Sequence, residues 1–309
     1  MAVKMAASKP QKPSEAKNAD SKEATKSKSS SKGSEAKKDA APAKTGSSFI
    51  STLFRFLQLI SWAACLFVAG RLALDIRMYA IKTYGPVIHE FDPWFNYRAT
   101  EYLSKHGWYE FFHWFDYKVW YPLGRPVGTT IYPGMQITSV AIHRVLEYFG
   151  VEMEIPVMVT PGDDPKTDIR QPTLSDVCAY VPVWFGAIAT VCLALLVYEC
   201  TYSWASSACA AFIMAVVPAH IMRSVGGGFD NESVAITAMC LTFYLWTRAL
   251  RLPANNPVAI RDGTATRDSV IFGIFAGFAY INMAAAWGGF TFVLNLIAAH
   301  TALLCIIGR

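Results

Sequence analysis

The chain has 309 residues, 53% hydrophobic and 14% aromatic, with a mean hydropathy of +0.27. That is too apolar for an ordinary soluble domain and is the composition of an integral membrane protein. The net charge of +5 is gathered at one end: residues 1–47 hold eleven lysines against five acids, and the remainder is nearly neutral.

Residues 1–47 form the first expected unit. Lysine, serine and alanine dominate, no aromatic is present, and such a segment cannot bury enough apolar surface to offset its ordering entropy. It reads as a disordered cytosolic tail without a signal-peptide core or a lipidation motif. Nothing aromatic interleaves the lysines, so no nucleic-acid partner is expected. Residues 48–309 form the second unit, a transmembrane part.

Apolar runs long enough for a hydrocarbon core about 30 Å thick lie at 53–74, 177–199, 205–222, 233–250, 269–286 and 288–307. They are too continuous for the alternating strands of a barrel, so the expected fold class is an all-α polytopic membrane protein with about six transmembrane helices. Residues 127–149 carry Pro133, His143, Arg144 and Glu147, with Ile137, Val140, Ala141 and Val145 at helical spacing. This segment reads as an amphipathic helix packed on the protein or the membrane surface, not as a span. With the lysine-rich tail in the cytosol, loop 83–176 then faces the lumen, and so does residue 223 two spans later. Arg248, Arg251, Arg261 and Arg267 crowd the end and the loop that this parity returns to the cytosol.

Loop 83–176 is dense in aromatics, as expected at a membrane interface. Its portion 155–172 is polar and proline-rich, and Asp163 and Asp164 there read as a solvated turn. The seven cysteines lie in or beside apolar runs without zinc-like spacing and read as small packing residues. Arg71 and Asp75 read as a local helix pair, and His220 and His300 as packing or interfacial groups.

Two acidic pairs stand out at span ends. Glu90 and Asp92 sit in HEFDP; Asp230 and Glu232 sit in GGGFDNE. The residue before Pro93 is biased to extended backbone, so Glu90 and Asp92 are expected to project to one side, with Asp92 as the N-cap of a helix running to Gly107. Asp230 has the same setting before the span at 233–250. One reading makes the acids helix caps. The other makes them an oxygen-rich ligand set for Mg²⁺ or Mn²⁺, because a cap needs one carboxylate and each site has two. The GGG triplet fits either a tight backbone approach or a flexible turn. Arg223 either snorkels at the boundary or holds a phosphate or carboxylate. Asn231 formally begins a glycosylation sequon, but its place against a span leaves little room for a glycan.

The strings HEFDPWFNYRATEYL (89–103), WYPLGRPVGTTIYPG (120–134), RSVGGGFDNESVAI (223–236) and AAAWGGFTFVLNLIAAH (284–300) resemble the catalytic subunit of the eukaryotic oligosaccharyltransferase, a C-type glycosyltransferase. The resemblance covers nearly everything from about residue 50 onward. It implies Asp92, Asp230 and Glu232 as metal ligands, with Mn²⁺ or Mg²⁺ bound. It further implies Asp92, Arg223 and Glu90 as catalytic residues, with Asp92 also contacting the acceptor carboxamide. The implied reaction moves a preassembled oligosaccharide from a dolichyl diphosphate donor to asparagine in N-x-Ser/Thr, at the endoplasmic reticulum membrane and beside other subunits of the complex. Departures are Gly228 and Phe229 before Asp230, Ser233 in place of a usual glycine, and an insertion near 155–172. The family continues beyond a point matching Arg309 with further spans and a sequon-reading domain, so the chain alone is expected to show no detectable transfer. The alternatives are an inert or assembly fragment, another dolichol-dependent transferase, and a cation transporter; the last requires acids buried within spans.

Overall fold

The computed structural model describes residues 45–157, 166–251 and 267–307. The chain divides into Met1–Gly46 and Ser47–Arg309, and everything below concerns the second unit. The lysine-rich tail up to residue 44, Asp163 and Asp164, and Arg261 lie outside the described residues.

Helix α1 (Thr45–Arg77) opens the unit, and α2 (Tyr79–Tyr84) follows it. Helix α3 (Phe91–His113) breaks at Gly107, whose φ of 79° is not helical, as the expected helix end at that glycine anticipated. A two-residue ladder, β1 (Phe115–Asp116) on β2 (Arg125–Pro126), leads to α4 (Val127–Thr130) and α5 (Gly134–Tyr148). Strands β3 (Met153–Val157) and β4 (Lys166–Arg170) pair antiparallel with Ile155 opposite Asp168. The helical remainder is α6 (Leu174–Thr201), α7 (Trp204–Val216), α8 (Pro218–Ile221), α9 (Asn231–Ala249), α10 (Arg267–Ala286) and α11 (Phe290–Ile306).

Local chemistry explains the starts. Thr173 and Asp176 form a reciprocal capping box on α6, Ser203 accepts the Ser206 N–H at the start of α7, and Asp230 caps α9. Tyr202, in the left-handed region, ends α6. Helices stand at all six expected spans, but 205–222 is not one helix. Val217 is extended (ψ 123°) ahead of Pro218, which opens α8 as a separate turn. A proline lacks the N–H that a continuing helix needs, and it disfavours helical backbone in the residue before it. Ile50–Arg77, Leu174–Thr201 and Arg267–Ala286 are long and apolar enough to cross a membrane; Trp204–Val216 and Phe290–Ile306 are shorter apolar helices.

Packing is inside-out relative to a water-soluble domain. Phe54, Phe67, Phe275 and Phe278 are exposed, whereas Ala69, Ala73, Ala276 and Ala279 are buried. Large apolar groups facing outward with small ones between helices is the arrangement that hydrocarbon solvent selects. Helix α9 packs between α6 and α10, and α7 packs on α6. The main core joins Val177, Cys178 and Val181 of α6 to Val234 and Ala238 of α9 and Met283 of α10. All seven cysteines are free, and Cys178, Cys192 and Cys240 are buried.

The segment 127–149 does pack on the protein, through α5 against α3, α6, α9 and α10. It is two helices rather than one, and its buried stripe differs from the expected one. Met135, Gln136, Ser139 and Val140 face inward, while Ala141 and Val145 are exposed. Polar Gln136 and Ser139 occupy an interior that apolar periodicity does not reveal. The polar excursion contains the β3–β4 hairpin, which an all-helical reading omits.

Candidate functional site

The site is built where the chain leaving α2 meets the loop entering α9. The His89 N–H donates to the Gly227 carbonyl (3.2 Å), and His89 Nε2 lies 3.3 Å from the Gly226 carbonyl. Only glycine fits at 227. Its φ is 86°, and a Cβ there would sit 2.2 Å from the Val87 oxygen. The Gly226 N–H donates to Arg77 O and the Gly227 N–H to Ala179 O, both at 3.0 Å. The triplet is therefore a tight backbone junction rather than a flexible turn.

A second tie crosses the same junction. Asn96 of α3 donates to the Phe229 carbonyl (3.2 Å), and Gln136 of α5 donates to Asn96 Oδ1 (3.1 Å), all buried. Phe229 itself is fully buried. The residue before Asp230 is thus locked to the helix that begins beside Asp92.

The first motif departs from expectation in its backbone. Helix α3 starts at Phe91, so Glu90 is the N-cap residue and Asp92 lies in the first turn. Glu90 has φ 72° and ψ 169°, an uncommon conformation for a residue with a side chain, and it is not the extended neighbour that the proline rule suggests. The chain turns sharply there, between His89 docked on Gly227 and α3. Pro93 is tolerated because N–H groups in a first turn have no intrahelical acceptor. The Glu90 carboxylate is exposed and lies 3.7 Å from His89 Nδ1. Among the described residues no hydrogen bond or ion pair holds the Asp92 carboxylate. It lines a cavity of about 720 Å³ with Trp94, Arg98, Lys118 and Trp120.

The second motif is half-buried. Asp230 accepts the Asn231 N–H (2.7 Å), and Glu232 stands in the first turn of α9. Arg223 faces both: its Nε is 2.9 Å from Glu232 Oε2, and its Nη1 is 3.9 Å from Asp230 Oδ2. The closer contact is one of charge, not of an aligned hydrogen bond, and Glu232 Oε2 has no hydrogen-bond partner. Arg223 thus holds carboxylates rather than snorkelling free. Asn231 Oδ1 is also buried without a partner, a poor position for a bulky glycan.

Charge couples the two motifs. Burial pushes the Asp230 carboxyl above the usual carboxylate range; the Asn231 N–H and Arg223 oppose this, and the charges of Asp92 and Glu90 add to it. Burial also raises Glu232, against Arg223 and with Asp230. The acids of both motifs therefore lie in reach of one another's fields. The N-termini of α3 and α9 contribute positive dipole ends to the same place. Among the described residues no three His, Cys, Asp or Glu side chains converge on one point as a closed metal site would require. The donor chemistry still suits a hard divalent cation: carboxylates from both motifs, a buried carboxylate oxygen and a buried amide oxygen without hydrogen-bond partners, and more negative charge than one arginine offsets.

The remaining expected pairs are found locally. Arg71 Nε lies 3.2 Å from Asp75, which Lys82 also reaches. His220 is buried with Nε2 near Gly186 O, and His300 Nδ1 faces Trp246 Nε1. Sequence reasoning missed His89, Asn96 and Gln136, which join the motifs. For Asn96 and Gln136 the signal was polarity between apolar neighbours; His89, between Ile88 and Glu90, gave none.

Comparison with known proteins identifies the family of the chain. The family described as "Oligosaccharyl transferase STT3, N-terminal" matches residues 56–309. The chain is 36% identical over 233 residues to the dolichyl-diphosphooligosaccharide–protein glycosyltransferase subunit stt-3 of Caenorhabditis elegans, covering 75% of this chain and 26% of that protein. It is 38% identical over 247 residues to subunit STT3A of Oryza sativa subsp. japonica, covering 80% and 27%. The archaeal oligosaccharyltransferase AglB from Archaeoglobus fulgidus, solved with an inhibitory peptide and a dolichol-phosphate, shares the fold. Its TM-score is 0.56 at 18% identity, over 79% of this chain and 25% of that one. The chain thus spans about a quarter of the length of the curated relatives it matches. With the family matching most of its length, the chain belongs to the STT3 oligosaccharyl transferases and corresponds to their N-terminal part.

Proposed function

We propose that the chain carries the acidic centre of an enzyme that transfers a preassembled oligosaccharide from dolichyl diphosphate to asparagine of N-x-Ser/Thr. It would act in the endoplasmic reticulum membrane with both motifs lumenal, beside other subunits of an oligosaccharyltransferase complex. The observation that carries this reading is the hydrogen-bonded junction of His89 with Gly226 and Gly227, which brings the charges of Glu90 and Asp92 to bear on Asp230. The names of the relatives support the donor and the reaction class. The archaeal structure solved with a peptide and dolichol-phosphate supports a lipid-linked donor and a peptide acceptor.

The residue types suit the chemistry. An amide nitrogen is a weak nucleophile because its lone pair is delocalised into the carbonyl. Asp92, without a hydrogen bond or ion pair among the described residues and lining an open cavity, is suited to accept the acceptor's carboxamide N–H and to oppose that delocalisation. Asp92, Asp230 and Glu232 would hold Mn²⁺ or Mg²⁺, which when bound stabilises charge on a departing diphosphate. Arg223 keeps Asp230 and Glu232 oriented and offers a positive edge to an anionic leaving group. Glu90 adds negative charge at the rim. The acids stand at helix starts rather than within spans, which separates this reading from a cation transporter. The test replaces the chromosomal copy with Asp92→Ala or Asp230→Ala and measures sequon occupancy against protein abundance. Loss of occupancy at near-normal abundance is expected, and near-normal occupancy refutes the assignment.

A further inference from the structure

Arg77 is the last residue of α1, and its side chain is fully buried. Among the described residues no carboxylate pairs with it. Its Nη1 donates to the Ala73 carbonyl of α1 (3.1 Å) and the Ala215 carbonyl of α7 (3.0 Å). Its Nε donates to Ser224 Oγ (2.8 Å), and its own carbonyl accepts the Gly226 N–H (3.0 Å). Nη2 is buried without a partner. Gly186 of α6 leaves the room, since a Cβ there would lie 2.4 Å from Arg77 Nε.

A buried cation without a counter-charge is a costly way to join helices, and an apolar side chain of similar volume does that at least as well. What an apolar residue cannot do is grip a loop by its hydroxyl. Arg77 grips residues 224 and 226 by side chain and main chain together. Ser224 in turn donates to the His220 carbonyl (2.6 Å), closing the turn before it. The gripped residues lie between Arg223, which faces Asp230 and Glu232, and Gly227, on which His89 docks.

We propose that Arg77 is a positioning residue for transfer: it holds loop 223–228 in register, so that Arg223 meets the carboxylates of α9 and Gly227 meets the first acidic motif. The transfer half of this statement rests on the proposed function; the hold on the loop does not. The conservative variant Arg77→Lys keeps the charge but cannot reach Ser224 and two helix carbonyls in one fork, so it restores only part.

The test combines hydrogen exchange with kinetics on the purified complete complex carrying Arg77→Gln, Arg77→Lys or Ser224→Ala. Exchange of the amides of Gly226 to Gly228 is expected to accelerate by about tenfold or more in Arg77→Gln, as for loss of a charge-assisted hydrogen bond. Amides of α3 from Asn96 to Leu103 should keep wild-type protection. The turnover kcat should fall by about tenfold with the acceptor-peptide KM within about twofold, the pattern of misplaced groups rather than lost binding. Ser224→Ala and Arg77→Lys should lie between wild type and Arg77→Gln. If Arg77→Gln does not accumulate, Ser224→Ala decides, since it removes the acceptor of Nε, together with the Ser224 bond to His220 O, and leaves Arg77 in place. Wild-type loop protection in these variants overturns the proposal. Faster loop exchange with unchanged transfer supports the hold on the loop and instead overturns the roles given to Arg223 and Asp230.

Discussion

The two ends of α9 handle charge in opposite ways. At its start one guanidinium, Arg223, faces two carboxylates, Asp230 and Glu232, with Asp92 and Glu90 adding to the negative field. At its end two guanidinia face one carboxylate: Glu199 Oε1 lies 2.7 Å from Arg248 Nη1 and 3.3 Å from Arg251 Nη1. Those arginines also stack on Phe272 and Tyr202. The end is a saturated clamp, with Glu199 buried and its charge offset. The start is short of positive charge, which is the condition for recruiting a cation or an anionic substrate that brings one. The same residue types serve packing at one end and chemistry at the other, and the ratio of charges tells them apart.

The largest effect is expected at the start of α9. Asp92→Ala and Asp230→Ala should each lower transfer by roughly 10³-fold or more, beyond the 10²–10³ typical of one lost transition-state donor. Asp230→Ala should also cost about 1 kcal/mol of stability through its cap, whereas Asp92→Ala should cost none. Arg223→Ala should lower transfer by roughly 10²-fold while leaving abundance near normal, since the group is more than half exposed. Occupancy of a reporter sequon, divided by protein level, measures all three.

At the clamp the result should invert. Glu199→Ala strands two guanidinia, and breaking a buried pair costs about 3–5 kcal/mol, here about 2–3 because both arginines are partly exposed. Abundance and thermal stability should fall while transfer per surviving molecule stays at the wild-type level.

The smallest effect is expected where charges balance one to one, at Arg98 and Asp116. Arg98 Nε lies 2.6 Å and Nη2 3.1 Å from the Asp116 oxygens. Burial pushes the Asp116 carboxyl up, but Arg98 and the Lys118 N–H pull harder, leaving it below the usual carboxylate range. A depressed carboxyl contributes stability that is present above its unfolded value, near pH 4, and is lost as pH falls through the folded one. Asp116→Asn should therefore cost about 1 kcal/mol at neutral pH, with the difference from wild type starting to shrink below about pH 4 and vanishing only once pH has passed the lower folded value. A thermal melt across pH 3 to 7 reads it.

Much of this was legible in the sequence because hydrocarbon solvent writes a strong signal. Six apolar runs hold helices, one of them broken at Pro218, and the stretches that carry the two acidic pairs are tied by the His89–Gly227 hydrogen bond. Other features rest on tertiary context. Pro218 interrupts a run whose hydropathy is continuous, so composition hid the break. Gln136 and Ser139 face the interior because their partners lie on other helices or on the preceding turn, which no periodicity records. Asp92 falls inside its helix because Glu90 takes a positive φ to dock His89, a constraint set by a loop 137 residues away. Arg77 ends an apolar run just where arginines commonly reach for the interface, and only packing shows that it turns inward.

The charge imbalance at the start of α9 is tested most directly by Mn²⁺ binding to the purified complete protein, read by electron paramagnetic resonance. The expected result is a bound ion that Asp92→Asn, Asp230→Asn and Glu232→Gln each weaken and Glu199→Gln leaves unchanged. Wild-type affinity in Asp92→Asn would contradict the account, because the two acidic motifs would then not share one site.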